Sequence, residues 1–378
     1  MQTIRLFTPG PTPVFPGALE IFAKPILHHR TEAFMSVMEA VRAGLKYVFG
    51  TQQEVLILAA SGTGAMEGTV VNLFNPGDKV IVVRGGKFGE RWGEIAEAYG
   101  ITVIPLDIPW GTAPTVRYIQ NGCEKHPEAK AVLLQACETS TAADYPIKDI
   151  AAFTRTTDKL LVVDAISYLG VSEYEMDAWG VDVTVSGSQK GFMLPPGLAF
   201  VAFNERAWKA AEKSTLPKFY FHFPIELKSI QKNQTAYTPA VSLIMGLQAV
   251  LDYFKKEKKE TIYAQYKKFS NAMRMATEAL HLELFPQAPS HGLIAIKVPE
   301  NLEGKKIVAK LRDEHRMLIA GGQGHLTGKI VRISCIGHTD PFNLISVFSA
   351  LEDVLKSLGA NIEYGKGVSR LEKALLGK

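Results

Sequence analysis

Hydrophobic positions along the 378-residue chain change rhythm from one region to the next. From about residue 54 to 203, short unbroken apolar runs recur. They are Glu54-Val55-Leu56-Ile57-Leu58-Ala59-Ala60, Lys79-Val80-Ile81-Val82-Val83-Arg84, Ala131-Val132-Leu133-Leu134-Gln135, Lys159-Leu160-Leu161-Val162-Val163-Asp164-Ala165, Asp182-Val183-Thr184-Val185 and Ala199-Phe200-Val201-Ala202-Phe203. Runs of this length, rich in β-branched residues, predict strands buried on both faces, as in a parallel sheet. Intervening segments such as Arg91 to Tyr99 and Lys148 to Arg155 predict helices. Strands alternating with helices predict an α/β, doubly wound sheet covered on both faces.

The pattern then loosens. Residues 205 to 240 read as irregular, with Pro217 and Pro224 flanking the aromatic cluster Phe219-Tyr220-Phe221-His222-Phe223. A long helical stretch follows, and its charge run Lys255-Lys256-Glu257-Lys258-Lys259-Glu260 predicts a solvated helix face rather than a nucleic-acid patch. Residues 265 to 378 mix helix and strand, which predicts a smaller α+β domain. Within it, Lys329-Ile330-Val331-Arg332-Ile333-Ser334 alternates as a strand does.

Chemistry is concentrated at the ends of the predicted strands. Lys190, in Ser186-Gly187-Ser188-Gln189-Lys190-Gly191, sits in a turn of small residues just after one strand, and Pro195-Pro196-Gly197 prevents a helix from following. A lysine held this way has its amine aimed into a cavity, where partial desolvation makes it a nucleophile for a carbonyl. Asp164 ends the strand Leu160 to Asp164 at the sheet edge where α/β proteins bind ligands. An acid on one strand end and a lysine 26 residues later suit pyridoxal phosphate. The acid keeps the pyridine nitrogen protonated, and the lysine takes the aldehyde carbon.

A phosphate cradle completes the set. The strand ending at Ala60 runs into Ser61-Gly62-Thr63-Gly64 and then into a helical stretch. The glycines let backbone approach closely, the helix N-terminus offers free N–H groups and a positive dipole end, and Ser61 and Thr63 add hydroxyls. Gly62, Gly64 and Gly68 also mimic a dinucleotide fingerprint. Against that reading, the next strand ends in Arg84, where a ribose would need an acid.

Composition narrows the class. Apolar content of 47% and charged content of 21% are ordinary globular values. A net charge of +4 gives no case for nucleic acid. The three cysteines Cys123, Cys137 and Cys335 have neither paired nor metal-ligand spacing, so no metal and a reducing compartment are expected. No long apolar span or leader-like apolar stretch is seen, which predicts a cytoplasmic protein without membrane association.

These motifs resemble the class V aminotransferases of the fold type I pyridoxal-phosphate enzymes, above all the alanine–glyoxylate, serine–glyoxylate and serine–pyruvate branch. The resemblance runs from Phe7-Thr8-Pro9-Gly10-Pro11-Thr12 to Val331-Arg332-Ile333-Ser334. It implies a mostly parallel seven-stranded sheet. It also implies an N-terminal segment (residues 1–15) packed near the active site, a large cofactor-binding domain (16–260) and a small C-terminal domain (261–378). Phe88 falls where an aromatic ring stacks on the pyridine, although the family often has tryptophan there. Thr139 falls where a hydroxyl bonds the cofactor, Gln189 where a side chain reaches its phosphate, and Ile166 beside Asp164 in the cofactor pocket. Arg332 falls where a guanidinium grips the substrate carboxylate, with Gly10 opposite on the substrate side. Gln234-Thr235-Ala236-Tyr237-Thr238 looks like the segment that a partner subunit sends to the phosphate, which implies a homodimer with shared sites. Thr235, Tyr237 and Thr238 are all candidates for that contact.

The resemblance thus implies a ping-pong aminotransferase moving the amino group of a small amino acid, alanine or serine, to glyoxylate or pyruvate. Aspartate or phosphoserine as donor is the alternative. A cysteine desulfurase is disfavoured, because the loop Gly321 to Gly328 before Arg332 has no cysteine. A non-catalytic nucleotide-binding protein is the reading from a different class. His28, His29, Arg30, Lys218, Lys228 and His338 are further polar groups that could face the substrate.

Overall fold

The computed structural model describes residues 4–377. In chain order the strands are β1 (Arg5–Leu6), β2 (Val55–Leu58), β3 (Lys79–Arg84), β4 (Thr102–Asp107), β5 (Ala131–Gln135), β6 (Cys137–Glu138), β7 (Ala143–Asp144), β8 (Leu160–Asp164), β9 (Val183–Gly187), β10 (Ala199–Phe203), β11 (Leu293–Lys297), β12 (Met317–Leu318), β13 (Ala320–Gly321) and β14 (Ile330–Ser334).

Seven of them form one sheet in the order β2-β10-β9-β8-β5-β3-β4. Only β10 runs against the others, since it is antiparallel to both of its neighbours. Every residue of β5, β8, β9 and β10 is buried, as unbroken apolar runs require. Each of the six runs found in the sequence became a strand of this sheet. The seventh, β4, was not found. It is an edge strand with alternating exposure and a proline at position 105, so its sequence carries no apolar run.

Two expectations fail locally. Residues 205–240 are not wholly irregular, because they hold the helices Glu205–Ala211 and Phe223–Ile230. Asn204 caps the first by accepting a hydrogen bond from the Ala207 N–H at 3.0 Å. Pro224, one of the two prolines flanking the aromatic cluster, lies in the first turn of the second, where no N–H donor is needed. The charge run 255–260 is not one solvated face either. The helix Val241–Glu257 ends there, Lys258 adopts φ 66°, and the helix Lys259–Ala279 begins. Lys259 is buried, donates to the Tyr47 carbonyl at 3.2 Å and pairs with Glu175.

A second, antiparallel sheet in the order β11-β14-β13 lies in the C-terminal part. The N-terminal segment is tied to it. β1 pairs in parallel with β12, and the Ser334 N–H at the end of β14 donates to the Phe7 carbonyl at 2.8 Å. That pairing delivers Pro9 and Gly10 to the C-terminal edge of the large sheet. Among the described residues, no helix is long and apolar enough to cross a membrane.

Candidate active site

The site forms where β5, β8 and β9 end. β9 stops at Gly187, and the following turn carries Lys190 inward, only 8% exposed. Its Nζ donates to the Pro9 carbonyl at 2.6 Å. Burial lowers the Lys190 pKa to about 8, against the opposing pull of acidic neighbours that include Asp164. Gly10 must be small here, because a Cβ on it would lie 2.4 Å from that amine. Thr12 fixes the turn from the same tail, its hydroxyl donating to the Lys190 carbonyl at 3.2 Å.

Asp164 ends β8 with 4% exposure. One carboxylate oxygen accepts the Ile166 N–H at 2.8 Å. Burial pushes the carboxyl up to about 7, and the charge of Glu138 adds to the shift. The Ile166 side chain packs over the cradle, since a Cβ on Gly62 would lie 2.3 Å from its Cδ1. Thr139 follows β6, and its hydroxyl donates to the Ser167 hydroxyl at 2.7 Å.

Ser61 is the N-cap of the helix Gly62–Leu73, and its side chain makes no capping bond. The Gly64 and Ala65 N–H groups turn back to the Ser61 carbonyl at 2.8 and 3.4 Å, which leaves the Gly62 and Thr63 N–H groups and the Ser61 hydroxyl at the mouth of the turn. The Gln189 Oε1 is buried and also has no partner. A Cβ on Gly187 would lie 3.0 Å from this oxygen and 3.6 Å from the Gly62 nitrogen, so Gln189 borders the cradle.

Phe88 lies at the start of the helix Lys87–Ala98. Arg332, in the middle of β14, is 5% exposed. Its guanidinium donates to backbone carbonyls alone: Nη1 to Thr139 at 2.7 Å, and Nε and Nη2 to Gly321 at 3.1 and 2.8 Å. With no carboxylate bonded to it, desolvation lowers its pKa to about 10.

The remaining candidates lie elsewhere. Thr235, Tyr237 and Thr238 line a separate cavity with Leu58, Ala59 and Glu226. Thr235 donates to the Tyr237 carbonyl at 2.6 Å, and the Tyr237 ring stacks on Tyr220 at 5.4 Å. Of the further polar groups, Arg30 bonds Gln234 and the Thr235 carbonyl. His28 and His29 pack on each other, His338 packs edge-on against Phe15, and Lys218 is taken up by backbone carbonyls such as that of Val71.

Sequence reasoning missed Glu138, which is wholly buried. Its carboxylate accepts from the Phe88 N–H at 3.2 Å, the Gly89 N–H at 3.0 Å, the Ser140 N–H at 3.1 Å and the Gln135 amide at 2.8 Å. It thereby caps the helix that carries Phe88 and anchors the turn that carries Thr139. The signal was available: an acid just past an apolar strand, like Asp164. Arg91 was missed too, three residues beyond Phe88 on the same helix face.

The residues present suit pyridoxal phosphate. The N–H groups of Gly62 and Thr63 and the hydroxyls of Ser61 and Thr63, all donors, border a cradle that only glycine leaves open. A desolvated amine and a buried carboxyl lie on adjacent strand ends, and a buried guanidinium lacks an anion.

Comparison with known proteins agrees. The family described as Aminotransferase class-V matches residues 22–339. The chain is 39% identical to the soluble hydrogenase small subunit of Synechococcus sp. (strain PCC 6716), over 98% of each chain. It is 34% identical to the L-aspartate–glyoxylate aminotransferase of Paracoccus denitrificans, over 97% of this chain and 95% of that one. The solved structure of ureidoglycine–glyoxylate aminotransferase from Bacillus subtilis superposes with a TM-score of 0.95 at 27% identity, covering 99% and 98% of the two chains. The chain belongs to the class V aminotransferases. It is a pyridoxal-phosphate-dependent transaminase of the fold type I architecture.

Proposed function

We propose that this enzyme moves the amino group of a small amino acid, alanine or serine, to glyoxylate, with Arg332 binding the carboxylate of each in turn. The observation that carries this reading is the Arg332 guanidinium, buried, bonded only to carbonyl oxygens and without an anion. Its planar fork is the group that grips a carboxylate in two places. Glyoxylate as acceptor is supported by the names of relatives, among them the Paracoccus enzyme and the serine–glyoxylate aminotransferase of Methylorubrum extorquens, 30% identical. Aspartate as donor is a second reading, favoured by Lys87. It directly precedes Phe88, and a Cβ on Gly324, in the loop leading to Arg332, would lie 3.4 Å from the Lys87 stem.

Pyridoxal phosphate supplies an aldehyde for the amine and a ring that draws electrons away from the substrate's α-carbon. The chain does the rest. Ser61, Gly62, Thr63 and Gln189 would hold the phosphate, Phe88 and Ile166 would confine the ring, and the Thr139 hydroxyl would bond it. Asp164 would hold a proton at the ring nitrogen. The Lys190 amine would hold the aldehyde, and when free it would be the base that moves the proton from the substrate's α-carbon to the cofactor's aldehyde carbon. Burial, which lowers the pKa of this amine to about 8 in the cofactor-free chain, favours its neutral form. Gly10 keeps the substrate side open beside it.

Thr235, Tyr237 and Thr238 line a cavity that Ser61, Gly62, Thr63 and Gln189 do not line. We assign them to a partner's cradle in a homodimer, supported by the exposed aromatic surface beside them, with Phe219 79% and Tyr220 49% exposed. The proposed division into residues 1–15, 16–260 and 261–378 is supported by the separate sheets. Three buried, unpaired cysteines support a cytoplasmic location.

A screen of alanine, serine, aspartate and phosphoserine against glyoxylate, pyruvate and 2-oxoglutarate tests the reading. Highest kcat/KM with alanine or serine and glyoxylate is expected. Highest kcat/KM with aspartate moves the assignment to the Lys87 reading, and no turnover of any pair overturns both.

A further inference from the structure

We propose that Arg91 is a cofactor-positioning residue: from its place over the Phe88 ring, it commits the Thr63 hydroxyl to donate to the cofactor phosphate. The inference rests on the reading of Ser61 to Thr63 as the phosphate cradle.

Arg91 lies one turn beyond Phe88 on the helix Lys87–Ala98. Its Cζ sits over the Phe88 ring, 4.9 Å from the centroid. Its Nη1 donates to Thr63 Oγ1 at 3.3 Å. Neighbouring acids do not claim it, since Glu90 pairs with Lys87, and Arg91 forms no ion pair among the described residues. One guanidinium thus touches both the ring proposed to confine the pyridine and the hydroxyl proposed to hold the phosphate.

The direction of the Thr63 bond matters. A guanidinium has donors only, so the Thr63 oxygen is the acceptor. The hydroxyl proton of Thr63 is then free to point elsewhere. Its residue lies in the first turn of the helix Gly62–Leu73, where the N–H groups also point outward. An anion in that turn meets a hydroxyl already polarised by a full positive charge, which strengthens its donation. The helix terminus alone offers roughly half a charge toward a group carrying about two negative charges. Arg91 adds a full charge one hydroxyl away. Its charge also reaches Asp164 and Lys190, which places it in the field of the site.

The test measures dissociation constants on cofactor-free protein, by absorbance and tryptophan fluorescence. The two ligands are pyridoxal phosphate and 5′-deoxypyridoxal, which lacks the phosphate. The proteins are wild type, Arg91→Met, Arg91→Lys, Thr63→Val and the Arg91→Met/Thr63→Val double variant. Arg91→Met is expected to weaken pyridoxal phosphate by about ten- to a hundredfold, the range for a charged hydrogen bond. Affinity for 5′-deoxypyridoxal should change by less than about threefold, within ordinary context effects. In the Thr63→Val background the Arg91→Met loss should largely vanish, because the arginine acts through that hydroxyl. Arg91→Lys keeps a charge and donor, is expected to retain most of the phosphate preference, and provides the comparison if the methionine variant does not fold. Equal weakening of both ligands, or losses that add fully in the double variant, would overturn the inference and leave Arg91 as a strut between two helices. Wild type binding both ligands equally would instead overturn the cradle reading itself.

Discussion

Lys190 Nζ donates a 2.6 Å hydrogen bond to the carbonyl oxygen of Pro9, a residue 181 positions earlier in the chain. A backbone carbonyl orients the amine without fixing its charge, as a carboxylate at that distance would. Gly10, the next residue, leaves no room for a side chain. Gly10→Ala would put a methyl group 2.4 Å from the amine, so the lysine must turn away. The variant should remain folded, capture pyridoxal phosphate more slowly and lose activity by about a hundredfold, the usual cost of misplacing a reacting group by an ångström. Stopped-flow absorbance of cofactor binding checks it, and wild-type capture rates would contradict the packing argument.

Lys190→Ala should abolish turnover and leave the melting temperature of the cofactor-free protein unchanged or raised, since it removes a buried amine whose pKa burial has lowered. In wild type, borohydride followed by peptide mapping should place the label on Lys190. Label on another lysine contradicts the assignment.

Asp164 is expected to act with opposite sign in the empty and loaded enzyme. Its folded pKa is raised to about 7 by burial, so the cofactor-free fold favours the protonated form. That contribution is complete below the unfolded value near 4 and is lost as pH rises through 7. It amounts to roughly 4 kcal/mol at its largest. Cofactor-free Asp164→Asn should therefore match wild type near pH 4 and be the more stable protein at pH 8. The same variant should lose most activity, because an amide cannot hold the ring-nitrogen proton. Paired thermal scans across pH 4–8 check the sign.

Glu138→Gln replaces one acceptor oxygen by an NH₂ group among donors supplied by Phe88, Gly89, Ser140 and Gln135. A loss of about 2–4 kcal/mol is expected for a buried group left facing donors. Denaturant unfolding measures it, and an unchanged midpoint would show that the carboxyl already carries a proton.

Arg332→Met should raise KM for every amino donor by about a hundredfold, the scale of a lost two-point grip on a carboxylate. Stability of the ligand-free protein should hold or improve, because a buried cation without an anion is removed. Loss of stability without a change in KM would make Arg332 a structural residue.

Much of this arrangement was legible in the chain because the chemistry sits at the ends of buried strands. Val162-Val163-Asp164 announces both a strand and the acid that leaves it, and Ser186 to Lys190 announces both a strand end and its turn. β4 was hidden because an edge strand needs no continuous apolar run. Glu138 shares the strand-end position that marked Asp164, but its role was hidden, because the backbone N–H groups of Phe88, Gly89 and Ser140 that it gathers leave no mark in the sequence. The break at Lys258 was hidden because a charge run reads alike on a solvated helix and around a turn. Lys259 could not be read as buried without Glu175, which lies 84 positions away.

The attachment of the N-terminal tail has one further consequence. Pro9, the acceptor of the lysine amine, follows a strand paired with β12, and Arg332, the proposed substrate anchor, lies on β14, whose end is bonded to Phe7. The carbonyl that orients the amine and the guanidinium that would grip the substrate are thus joined through the backbone of one tail. Any displacement of the β14 end is passed through Phe7 to Pro9, so the grip on substrate and the hold on the amine are geared together.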